Sequence, residues 1–111
     1  SDGRLAASRL RASLDVEAGD ASAQFALGTA LARQQRWAEA QQAYFRARTL
    51  APDDPDIAYN LAVSLDHLRQ PRPAALHYRL ALQLAEGRRP GFDPAACAAR
   101  LDALATQGIA P

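Results

Sequence analysis

The 111-residue chain contains no lysine and no methionine. Its 13 basic residues are all arginine. Without methionine the sequence has no start residue of its own, so the expectation is a processed product or a domain of something longer. A single cysteine, Cys97, excludes an internal disulfide and leaves the redox compartment open. No apolar run approaches the ~20 residues that span a bilayer, which argues against direct membrane insertion. The net charge is +1, both signs are interspersed, and no basic stripe alternates with aromatics. That argues against a nucleic-acid partner. There is no glycine-rich phosphate loop and no nucleophile–base–acid set, so the chain reads as a non-enzyme without a cofactor. No signal peptide stands within these residues, and both cytoplasm and periplasm stay open. The Lys-free, Arg- and Ala-rich composition is similar to that of GC-rich bacterial genomes.

What the chain does have is a repeat. Leu27, Gly28, Leu31, Ala40, Tyr44 and Ala47 each meet a like residue 34 positions on, at Leu61, Ala62, Leu65, Ala74, Tyr78 and Ala81. A fixed period of this length means stacked helical hairpins, each unable to bury its apolar face alone. The spacing predicts six helices and no strand. An amphipathic helix over 2–17 carries Leu5, Leu10 and Leu14. Two hairpins follow, over 21–54 and 55–88. Their helices run from Ala21 to Gln34, Trp37 to Leu50, Pro55 to Leu68 and Pro73 to Ala85. Pro52 stops one helix, Asp53 or Asp54 caps the next, and Pro73 suits a first turn. A last helix over 93–107 opens at Asp93-Pro94, ends at Gly108, and sets Cys97, Leu101 and Leu104 on one face.

These residues resemble the tetratricopeptide repeat family. The likeness rests on the pairs Leu27-Gly28 and Leu61-Ala62, on Leu31 and Leu65, on Ala40, Tyr44 and Ala47, on Ala74, Tyr78 and Ala81, and on Pro52. It is strong over Ala21 to Arg88. The first segment fits as the second helix of an incomplete repeat, with Ala6, Leu10 and Ser13 at matching offsets. The resemblance implies an all-α fold, a short right-handed α-solenoid of two hairpins with a capping helix at each end. Three departures stand out. Gln35 and Arg69 occupy turns where the family favours Gly, at up to ~1 kcal/mol each if the backbone is left-handed. Gln24 and Ala58 replace an early aromatic. Glu86 stands where a closing Pro belongs, so a change of register is expected there.

The resemblance also implies where function would sit, because the first helix of each hairpin lines the inner wall of such arrays. The candidate partner-binding residues are Ser22, Phe25, Thr29 and Arg33 in the first unit. In the second they are Asp56, Tyr59, Asn60, Val63, Asp66 and His67. Phe25 and Tyr59 stand 34 apart and should stack along one wall. They either anchor a peptide or helix or pack partly against flanking helices. Asn60 serves a bound peptide backbone or a local group equally well. Some family members clamp a C-terminal carboxylate with Lys, Arg and Asn. Here Phe25 and Thr29 take two of those places and the last helix offers no basic residue on the matching face, so no such clamp is expected.

His67 and His77, with Asp66 nearby, fall short of the three or four convergent ligands a metal needs. Cys97 reads as a buried structural thiol, Trp37 as hairpin packing, and Phe45, bordered by Arg46 and Arg48, as a second contact surface on the outer face. The expected function is an adaptor or scaffold that binds a protein or peptide partner. By family association it would work in bacterial pilus, secretion or envelope assembly. The alternatives are a self-association module forming a homodimer, or an accessory domain of an enzyme whose catalysis lies outside these residues.

Overall fold

In a computed structural model, residues 19–107 are described. They form five helices and no strand: α1 (Ala21–Arg33), α2 (Trp37–Leu50), α3 (Pro55–His67), α4 (Pro71–Ala85) and α5 (Pro94–Thr106). The helix expected over 2–17 and the stop at Gly108 lie outside the described residues.

Side-chain caps explain why three of the helices start where they do. The Asp20 carboxylate accepts the N–H groups of Ser22 (2.9 Å) and Ala23 (3.4 Å) at the head of α1. Asp54 does the same for Asp56 (2.8 Å) and Ile57 (3.3 Å) on α3. Asp93 accepts from Ala95 (3.0 Å) on α5. Each satisfies donors that have no partner inside the helix. The other two helices begin without a side-chain cap, because each follows a tight turn directly. Helix α4 starts at Pro71, two residues earlier than the spacing suggested. Both Pro71 and Pro73 then fall in its first turn, where an N–H has no intrahelical acceptor to lose.

The two hairpin turns are the same motif. Arg36 N–H returns to Leu31 C=O (3.0 Å) and Gln35 N–H to Ala32 C=O (2.8 Å). Thirty-four residues on, Gln70 N–H returns to Leu65 C=O (3.0 Å) and Arg69 N–H to Asp66 C=O (3.1 Å). This is the Schellman pattern, whose pivot residue must be left-handed. Gln35 has φ 60° and Arg69 φ 61°, so both turns carry the backbone cost that glycine would avoid.

Each helix packs on the next along the chain, α1 on α2 through to α4 on α5. Leu27, Leu31 and Tyr44 fill the first hairpin, and Leu61, Leu65 and Tyr78 the second. The helices approach through alanines, with Ala40, Ala47, Ala62, Ala74 and Ala81 wholly buried. Gly28 is the tightest point. A Cβ there would sit 2.6 Å from the Tyr44 ring. Gln24 and Ala58 are buried where an aromatic was expected. The Gln24 carbonyl oxygen accepts from Arg46 Nε (3.0 Å), so Arg46 is turned to this bond as well as bordering Phe45.

The register changes before α5, as Glu86 suggested. Asp54 follows Asp20 by 34 residues, but Asp93 follows Asp54 by 39. Counted from its cap, α5 still repeats the first helix of a hairpin. Gln24, Ala58 and Cys97 are each four residues past a cap, and Leu31, Leu65 and Leu104 each eleven past; all six are buried. The extra residues form the loop ahead of Asp93.

Candidate functional site

The ten candidate residues lie on α1 and α3, and the structure treats the two helices differently. On α1, Ser22 and Arg33 are exposed and Phe25 and Thr29 half-buried. Phe25 tilts against the Tyr44 ring (centroids 5.5 Å apart, 52° between planes). Thr29 Oγ1 shares a hydrogen bond with the Tyr44 hydroxyl (3.1 Å). Burial pushes the Tyr44 phenol above its ordinary range.

On α3 the chain engages most of the candidates itself. Gly91 N–H donates to the Asp56 carboxylate (2.6 Å), and the Asn60 side-chain amide donates to Asp56 C=O (2.8 Å). Asn60 thus serves a local backbone group. Tyr59 lies between two rings, tilted on Tyr78 (5.9 Å, 60°) and stacked flat on Phe92 (4.4 Å, 3°). The expected stack of Phe25 with Tyr59 is therefore replaced. Each ring packs on the tyrosine of its own hairpin, Phe25 on Tyr44, which also lies against Gly28, and Tyr59 on Tyr78. Val63 is half-buried against the core. His67 stacks flat on Trp37 (3.8 Å, 3°), so Trp37 joins two hairpins rather than closing one.

Asp66 is the most heavily bonded candidate. Its carboxylate accepts from the Tyr78 hydroxyl (2.8 Å) and from Arg100 Nε and Nη2 (2.7 and 2.8 Å). The Arg100 guanidinium holds its carboxyl below the usual carboxylate range, with Tyr78 adding to the effect and burial opposing it. The expectation that the last helix brings no basic residue to this face is corrected here. Arg100 reaches it, because the longer loop resets the register of α5. At the opposite end of α3, Arg88 Nη1 donates to the C=O of Asp53, just ahead of the helix (2.8 Å). Residues 88–100 thus form a band laid along α3.

Sequence reasoning missed Phe92 and Arg100, although one signal was present. Arg100 stands one repeat length beyond Asp66, and the two charges are opposite.

Among the described residues, part of the face stays open. A recess of about 240 Å³ lies between the heads of α1 and α3, lined by Ala21, Ser22, Phe25, Ala51, Asp54, Asp56 and Ile57. Elsewhere, Cys97 is buried with its thiol 3.6 Å from Tyr78 C=O, and burial pushes the thiol up, away from reactivity. His77 Nδ1 lies 2.8 Å from Pro73 C=O. On the outer helices, Phe45 and Leu76 are 46% and 58% exposed. No helix among the described residues is long and apolar enough to cross a membrane.

Helical hairpins stacked in chain order, with a buried tyrosine and buried small residues in each, define an α-solenoid of the protein-interaction class. The tetratricopeptide repeat family model matches residues 21–64, which spans α1, α2 and most of α3. Residues 21–64 thus carry a tetratricopeptide repeat. A search of curated proteins returns no match. Tetratricopeptide repeats mediate protein–protein interaction, which sets protein as the class of partner.

Proposed function

We propose that this domain is an adaptor that holds a peptide or helix of a partner protein against the α1 side of the α1/α3 face. The supporting observation is the contrast between the two helices. The band 88–100 engages Asp56, Tyr59 and Asp66 on α3, while among the described residues no hydrogen bond, ion pair or ring contact joins it to Ser22, Phe25, Thr29 or Arg33 on α1. A half-buried aromatic flanked by exposed polar residues suits an anchor, since rigid rings supply contact area at small entropic cost. In this reading Phe25 is the anchor and Ser22, Thr29 and Arg33 surround it. Tyr59, Asn60, Asp66 and His67 shape the wall from behind. The adaptor would serve a larger assembly, of which pilus, secretion and envelope machineries are the candidates.

Affinity capture from the source organism tests this, with Phe25→Ala compared against the unchanged chain by mass spectrometry. The reading expects at least one partner lost by the variant while it keeps its helical content and a cooperative melt, at a temperature lowered only by the lost packing on Tyr44. Partners captured equally by both would overturn it. A second reading, a homodimer through the outer helices, draws on the exposed Phe45 and Leu76. Sedimentation at rising concentration separates the two: a monomer throughout removes the dimer.

A further inference from the structure

Resting on the groove reading above, we propose that the recess between the heads of α1 and α3 receives a cationic side chain, Arg or Lys, of the partner segment. Its floor is apolar. Phe25 and Ile57 form it with Ala21 and Ala51, and Ile57 is almost fully buried. Its rim is acidic, with Asp54 and Asp56 the charged side chains among the described residues that line it. Long cationic side chains match that pattern, laying an aliphatic stem on apolar surface and keeping the charged end among acceptors. A ring face beside carboxylates also suits a guanidinium or ammonium.

The rim carboxylates keep capacity for a further donor. Asp54 takes both cap N–H groups on Oδ1, and Asp56 takes Gly91 N–H on Oδ1. None of the described hydrogen bonds uses either Oδ2. The head of α3 contributes a partial charge of about +0.5, which offsets only part of two carboxylates. The adjoining hollow makes the point by comparison. It is lined by the same Ala51, Asp54 and Asp56, and there the chain supplies its own Arg88 and Arg89. The recess beside Phe25 has the same acidic wall and no arginine among its described lining residues.

The test is to pan a random dodecapeptide library against the 111-residue protein and measure recovered peptides on variants. Asp54→Asn with Asp56→Asn removes the charge and keeps the structure, because Asn caps a helix as well as Asp and still accepts from Gly91. Ser22→Arg, at an exposed position, plugs the recess with a cation of the chain's own. The expected result is peptides with Arg or Lys beside apolar residues. They should bind about tenfold more weakly to the doubly neutral variant at low salt, with the gap closing as salt rises, and also lose affinity for Ser22→Arg. Peptides that need Phe25 but carry no cation, or ignore the neutral variant, would overturn this proposal and leave the groove reading standing. Recovery of no binder, or of binders indifferent to Phe25→Ala, would overturn both.

Discussion

The two hairpins share six matched core residues and one turn motif, yet they solve the same packing problem with different partners. In the first, the buried tyrosine hydroxyl meets Thr29, on the helix it packs against. In the second, the position matching Thr29 is Val63, which has no polar group, and the tyrosine turns instead to Asp66. The position matching Asp66 in the first hairpin is Ala32. The buried hydroxyl thus has a partner in both units, since leaving it without one is expensive. The choice of Asp66 has a consequence that Thr29 does not. A carboxylate there attracts Arg100, and Arg100 ties α5 across the second hairpin. The repeated residues set how each hairpin packs; the unrepeated ones set which face stays open.

Substitutions at Gly28 and at the matching Ala62 should separate the hairpins most. Gly28→Leu drives atoms into the Tyr44 ring and is expected to cost about 3 kcal/mol in urea denaturation. Ala62→Gly in the second hairpin should cost about 2 kcal/mol, the helix penalty plus the loss of one buried methyl. Equal effects would break the comparison.

Removing the hydroxyls comes next. Tyr78→Phe deletes a bond to a charged acceptor and should cost about 2 kcal/mol, against about 1 kcal/mol for Tyr44→Phe with its neutral partner. Thermal melts of the two variants side by side would check this order. Where the hairpins are alike, they should respond alike. Gln35→Gly and Arg69→Gly each relieve a left-handed residue and should stabilise by about 0.5–1 kcal/mol, once the extra freedom of glycine in the unfolded chain is subtracted. A gain in one turn and a loss in the other would contradict the shared motif.

The smallest effect is a pH dependence confined to the second hairpin. Arg100 and Tyr78 hold Asp66 below its unfolded value, so the native state favours the ionised form. That contribution is complete above the unfolded carboxylate range near pH 4 and is lost as pH falls through the lower folded value. Stability curves measured below pH 4 should be flatter for Asp66→Asn than for the unchanged chain. Parallel curves would remove Asp66 from the account.

Much of this was legible in the sequence because it repeats. The hairpins, a cap at Asp53 or Asp54, the cap at Asp93 and the buried Cys97 follow from spacing and residue type, and the family resemblance points to the turns at Gln35 and Arg69; the structure selects Asp54. The covering of α3 did not follow, because it depends on a loop that breaks the period. Phe92 sits in that loop, and only the chain's path places its ring on Tyr59. The Trp37–His67 stack joins residues from different hairpins, and no periodicity pairs them.

The most direct measurement compares Phe25→Ala with Tyr59→Ala, each assayed for folding stability and for affinity to one captured partner. The account predicts that Phe25→Ala loses affinity with the fold intact. It predicts that Tyr59→Ala, stripped of its contacts with Tyr78 and Phe92, loses stability while its folded fraction binds normally. Loss of affinity in Tyr59→Ala at unchanged stability, with Phe25→Ala binding normally, would place the open face on the wrong hairpin.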